Sequence, residues 1–282
     1  MSAGRSLLNR LVPPPWRAKT PVVPVIRLSG TIGSITPLRT GLSLSSLNDT
    51  LERAFQRKGI AAVALAVNSP GGSAVQASLI ATRIRELAAK HELRVFSFVE
   101  DIAASGGYWL ACAGDEIYAD ASSIVGSIGV VSAGFGFVDA IQKLGIERRV
   151  HTAGENKAIL DPFRPERAED VARLKSLQLD VHEEFKTLVR TRRAGRLDET
   201  NPDLFTGAFW SGRRGLELGL IDGLGTMHQI LRERFGADVV LKVVERTQAL
   251  WWRRLYPFGG GSAHEALIEA VETRILMSRF GL

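Results

Sequence analysis

Two glycine-containing turns in this sequence hold residue types that could do chemistry. One is NSPGG, Asn68 to Gly72, and the other is DIAASGGYW, Asp101 to Trp109. In the second, Ser105 stands among Ala103, Ala104, Gly106 and Gly107. Small neighbours leave a hydroxyl open to an incoming carbonyl, and free backbone N–H groups beside it can stabilise the oxyanion that an attack creates. In the first, Gly71 and Gly72 let backbone N–H groups approach a ligand with no Cβ in the way. Each turn also has a plainer reading. Ser105 could serve only as a helix N-cap, and NSPGG could be an ordinary strand-to-helix turn.

A serine nucleophile needs a base. Five histidines are available: His91, His151, His182, His228 and His264. His182 and His228 fall in polar helical contexts and read as surface residues. His91 closes a helix, where positive charge is favoured by the helix dipole, and His264 lies in the tail. His151, near the end of an expected strand, is the one plausible catalytic histidine. The other option is a lysine held neutral by burial. Lys157 precedes an apolar run, Ala158, Ile159 and Leu160, that could fold over a cleft. On residue chemistry alone, an ordinary solvated lysine is the better reading of that position.

The elements around these residues alternate. VVPVIRL (22–28) reads as a buried strand and 46–59 as a helix capped by Asn48 or Asp49 and stopped at Gly59. AAVALAVN (61–68) is continuously apolar, as in a parallel strand covered on both faces. A helix over 73–91, a strand over 93–99, a short helix near 104–113 and a strand over 116–120 follow. Helix 137–145 and strand 146–152 come next, then a long amphipathic helix over 166–195, a short glycine-closed helix within 210–226 and a strand over 239–246. The tail has a glycine hinge at 259–261 and an amphipathic helix. This alternation predicts an α/β fold with a mostly parallel sheet and flanking helices.

Composition narrows the function classes. Hydrophobic residues make up 45% and charged residues 23% of the 282, enough to bury a sizeable core. The net charge of +6 comes from scattered basic residues rather than a run. It reads as a solvated surface, with an anionic membrane surface as the next partner and nucleic acid excluded from the expected ones. The single cysteine, Cys112, can form no intrachain disulfide and sits in an apolar stretch as a structural thiol. No segment reaches the ~18 apolar residues of a membrane span, and residues 1–20 lack a signal-peptide core. The expectation is therefore a cytoplasmic chain with at most peripheral contact with the inner membrane. Nothing in the sequence asks for a metal or cofactor.

Five stretches, taken in order, are more specific than any one: NSPGG, AASGGYW, SSIVGSIGVV at 122–131, KAILDPFRP at 157–165 and GLELGLIDGLG at 215–225. In combination the chain resembles the signal peptide peptidase A family of serine–lysine peptidases over roughly residues 20–235. The resemblance implies a Clp protease/crotonase-like fold, with residues 1–20 as an irregular arm, 21–246 as a single peptidase domain and 247–282 as a tail. It implies Ser105 as nucleophile, Lys157 as general base and Ser127 as the residue orienting the lysine amine. The backbone N–H groups of Gly72 and Gly106 match its oxyanion hole, with Gly71 as the alternative to Gly72. It further implies peptide substrates, such as residual signal peptides or other cytoplasmic peptides, and a homo-oligomer in which neighbouring subunits can share a site. Many members carry an N-terminal membrane anchor, which is not evident here. Two rivals share the fold: a crotonase-like acyl-CoA enzyme and a catalytically inactive assembly protein.

Overall fold

A computed structural model describes residues 20–36, 39–245 and 280. Its framework is an eight-stranded sheet, parallel except at one margin. The strands are β1 (Val22–Ser29), β4 (Val63–Ser69), β5 (Val95–Ala104), β6 (Glu116–Ala119), β7 (Ile124–Gly126), β8 (Phe209–Ser211), β9 (Gly223–Leu224) and β10 (Val240–Val243). The order runs β10-β1-β4-β5-β6-β9, while β7 pairs with β5 and with antiparallel β8. A separate hairpin is formed by β2 (Ser34–Thr36) and β3 (Arg39–Thr40). The helices are α1 (Leu44–Phe55), α2 (Ala74–His91), α3 (Gly106–Ala111), α4 (Val138–Lys143), α5 (Ala168–Arg192), α6 (Gly212–Glu217) and α7 (Met227–Phe235).

Side-chain alternation on the strands builds two cores. Ile26, Leu28, Val63, Leu65 and Val67 point to one face, where α1, α2 and α3 cover them. Val23, Val25, Ala64, Ala66, Phe96 and Phe98 point to the other, beneath Ile230 and Leu231 of α7. The continuously apolar β4 is thus buried on both faces, as its sequence implies. On α2 the buried residues Ala77, Ile80, Ala81, Ile84, Leu87 and Ala88 recur at three- and four-residue spacing. Ser73 caps that helix through the Gln76 N–H, and Glu92 closes it in a left-handed conformation.

Several boundaries differ from the sequence expectation for local reasons. The cap of α1 is Ser43, in a reciprocal capping box with Ser46, rather than Asn48 or Asp49. β5 continues past Val99 to Ala104 because the ladder is irregular there: Val67 pairs with Val99, but Ser69 pairs with Ala103. Glu100 and Asp101, which read as a strand end, lie at this irregularity, where Asp101 accepts a bond from Asn68 Nδ2 at 2.7 Å and Glu100 faces Arg27. The strand expected over 146–152 is absent; those residues are irregular and mostly exposed, with no sheet edge beside them. The sequence pattern marks neither helix α7 nor the short strands β7, β8 and β9. The glycine hinge lies outside the described residues, as do the N-terminal arm and tail helix apart from Thr20 and Phe280.

Candidate active site

Strand pairing brings the two candidate serines together. The second half of β5 pairs in parallel with β7, Ala103 opposite Val125 and Ala104 opposite Gly126. The next residue on each strand is a serine, Ser105 and Ser127, so their backbones emerge side by side about 5 Å apart. Ser105 N–H donates to Gly126 O at 2.9 Å, and Ser127 N–H donates to Ala208 O at 2.7 Å. Both serines have φ of 53°, a left-handed region that L-residues seldom occupy.

Ser105 holds the N-cap position of α3, but its side chain makes no capping bond. The plain capping role is thereby set aside. Its ψ of −123° turns the chain sharply from strand to helix and leaves the hydroxyl on the wall of a cleft. The helix behind it is rigidly seated. All six residues of α3 are buried, Trp109 N–H donates to Ser105 O at 3.0 Å, and Tyr108 Oη donates to Leu220 O at 2.7 Å.

The NSPGG turn faces Ser105 from β4. Gly71 and Gly72 have φ of 106° and 140°. A Cβ on Gly71 would sit 2.9 Å from both Ala104 O and Ser105 Cβ, and one on Gly72 would sit 2.2 Å from Ile32 O. Only glycine allows this approach. Gly71 N–H is engaged by Ser69 Oγ at 3.2 Å. The Gly72 nitrogen lies 3.4 Å from where a Cβ on Gly106 would stand, so Gly72 and Gly106 adjoin beside the nucleophile.

These residues border a cleft of about 880 Å³. Its floor is apolar: Trp109 and Phe185 lie with ring centroids 4.8 Å apart, and Val181, Ile32 and Val130 flank them. Thr206 and Gly207 bound it on the β8 side, and Phe280 also reaches it, with its ring 4.9 Å from Phe209. Such a surface suits an apolar stretch of chain with a polar, reactive rim.

Lys157 does not line the cleft of its own chain. It is exposed, on a turn where its N–H donates to Gly154 O, and it belongs to a projection spanning residues 130–167. That projection contains α4, none of whose residues is buried. It is tied to itself by Phe137 N–H donating to Pro162 O, by stacking of Phe137 on Phe163, and by Arg148 between Asp161 and the Phe163 ring. His151 lies on it too, exposed. His182, which reads as a surface residue in sequence, is instead half-buried, with Nε2 3.1 Å from Ile128 O. Its polar helical context concealed this, since the partner is a backbone carbonyl that no motif marks.

The family model of peptidase family S49 matches residues 88–236. A putative protease of Methanocaldococcus jannaschii is 34% identical over 67% of this chain and 58% of its own length. A probable protease SohB of Buchnera aphidicola is 32% identical over 64% of this chain and 53% of its own length. A protein of Brucella melitensis named a Na(+)/H(+) antiporter NhaA is 52% identical over 98% of this chain, which spans only 39% of that relative. No helix among the described residues is long and apolar enough to cross a membrane, and the antiporter name is said of that relative as a whole, most of which this chain does not span.

Proposed function

The chain belongs to peptidase family S49, and on that premise we propose that it is a serine endopeptidase with a Ser105–Lys157 dyad. The observation that carries this reading is Ser105 itself: a non-glycine residue in left-handed backbone, with no capping bond, presenting its hydroxyl to an apolar cleft. Strained backbone persists where the surroundings over-determine it, and an exposed reactive group is a reason to hold it.

In the proposed reaction, the Lys157 amine acts as general base and takes the Ser105 proton as Oγ attacks the peptide carbonyl. The N–H groups of Gly72 and Gly106 receive the oxyanion; engagement of Gly71 N–H by Ser69 favours Gly72 over its neighbour. Protonated Lys157 then gives its proton to the leaving amine, and water, deprotonated by the same lysine, hydrolyses the ester. Ser127 orients the lysine amine. The apolar floor favours hydrophobic peptides, including residual signal peptides. Because Lys157 is exposed on its own chain, the base in each cleft comes from the projection of a neighbouring subunit. A fluorophosphonate probe tests the nucleophile: it should label wild type at Ser105 and leave Ser105→Ala unlabelled. Labelling elsewhere, with cleavage of a peptide library surviving in Ser105→Ala, would refute the assignment.

A further inference from the structure

We infer that His182 is a positioning residue for the Ser127 loop, acting through the carbonyl of Ile128. The inference rests on the reading of Ser105 and Ser127 above.

Ser127 has no glycine's freedom at φ 53°, so its conformation must be imposed from outside. Three tethers surround it. On the upstream side, Gly126 O accepts from Ser105 N–H at 2.9 Å. At the residue itself, Ser127 N–H donates to Ala208 O at 2.7 Å. On the downstream side, the Ile128 side chain is fully buried and its carbonyl meets His182 Nε2 at 3.1 Å. A carbonyl oxygen only accepts, so Nε2 carries the hydrogen in this bond. The first two tethers are backbone to backbone; the third is a side chain reaching in from α5.

The placement of His182 suits this task. Val181 and Phe185, beside it on α5, line the substrate cleft. His182 lies instead with Lys175, Gln178, Leu179 and Val130 around a smaller cavity of about 240 Å³. Val130 borders both spaces. The loop after Ser127 therefore runs between the cleft and this second cavity, and His182 holds it from the side away from substrate. It touches no reacting atom, and its Nε2 is committed to the loop.

A double-mutant cycle on the purified assembled enzyme tests this. Losing one neutral hydrogen bond corresponds to about a five- to tenfold change. His182→Ala should lower kcat by about that factor with KM little changed, and His182→Gln, whose amide N–H has similar reach, should recover most of it. In a Ser127→Ala background, His182→Ala should cost little more, because both changes disable the same unit. Additive losses in the two backgrounds, no recovery in His182→Gln at unchanged melting temperature, or an unaffected kcat in His182→Ala would each overturn the inference. Fluorophosphonate labelling of Ser105, measured in parallel, separates the cases. If Ser105 is labelled and the cycle fails, only the role of His182 falls. If Ser105 is unlabelled and Ser105→Ala remains active, the underlying reading falls.

Discussion

The left-handed backbone at Ser105 has consequences for stability as well as for chemistry. A non-glycine residue in such a region carries a cost on the order of 1–3 kcal/mol, and glycine would relieve part of it. Ser105→Ala should abolish peptide cleavage while preserving the fold, whereas Ser105→Gly should be equally inactive but melt higher than Ser105→Ala. Cleavage assays and thermal denaturation check both, and near-normal turnover in either variant would sink the assignment. Ser127→Ala should lose about tenfold in kcat, the scale of one or two hydrogen bonds that orient an amine. Behind the nucleophile, burial pushes the Cys112 thiol up to about 12 from its ordinary 9.0, and burial likewise holds the Tyr108 phenol well above its usual value. Both groups stay neutral in the folded chain at pH values where the unfolded chain ionises them. Their contribution is complete below pH 9 and is lost as pH rises toward 12. Cys112→Ala should flatten the fall of unfolding free energy over that window by up to about 1.4 kcal/mol per pH unit. An unchanged slope in urea titrations at stepped pH would show the thiol to be irrelevant there.

The elements hold the site through contacts that vary in how visible they are in sequence. Ser105, Gly72 and Gly106 are legible as candidates because turn chemistry is local: small residues between an apolar strand and a helix mark a close backbone approach, whereas Ser127 is marked by the family resemblance alone. The parallel sheet is legible for a similar reason, since β4 is apolar on both faces. The arginines closing α5 are not. In VRTRRAG they read as part of a scattered, solvated basic surface, yet Arg193 is 1% exposed, bonded through Nη1 to Asp222 at 2.6 Å and through Nε to Gly219 O at 2.9 Å. Arg192 donates to Cys112 O and Gly114 O, both at 2.8 Å, at the C-terminal end of α3. The end of one helix thus clamps the helix that carries the nucleophile, a long-range pairing that no period or motif announces. Asp222 also accepts from Ile117 N–H at 2.7 Å. Asp222→Ala leaves Arg193 buried without its counter-charge and should destabilise by about 3–5 kcal/mol. Asp222→Asn, which keeps an acceptor, should cost less. Equilibrium denaturation measures both, and an Asp222→Ala variant within 1 kcal/mol of wild type would mean that Arg193 is satisfied some other way.

At the scale of the whole molecule, the projection over 130–167 leaves apolar surface uncovered. Val131, Phe135, Leu144 and Ile146 are exposed, Phe135 at 81% and Leu144 at 72%. Exposed large apolar side chains concentrated on one segment are the kind of surface that a partner would cover. The same projection carries Lys157, while the cleft of the same chain holds Ser105 and Ser127 without it. The position of Lys157 was legible in sequence as a motif, but its place relative to the cleft was not, because a motif carries no distance to a cleft built by other elements. The proposed head-to-tail assembly would resolve both features at once: each projection would cover its apolar face on the next subunit and deliver a lysine there, and repetition of such a contact would close a ring. The expected behaviour is that the isolated monomer is inactive. Co-expression of Ser105→Ala chains with Lys157→Ala chains should then restore part of the activity, although each variant alone is dead. In mixed rings some clefts combine an intact Ser105 from one chain with an intact Lys157 from its neighbour. If each site is built within one chain, every site lacks one residue and the mixture stays dead. Affinity tags on both chains establish that mixed oligomers have formed, so a dead mixture of confirmed mixed rings would rule out the shared site. Phe135→Asp and Leu144→Asp should weaken assembly and lower activity together, because they place charge on the surface that the neighbour must cover.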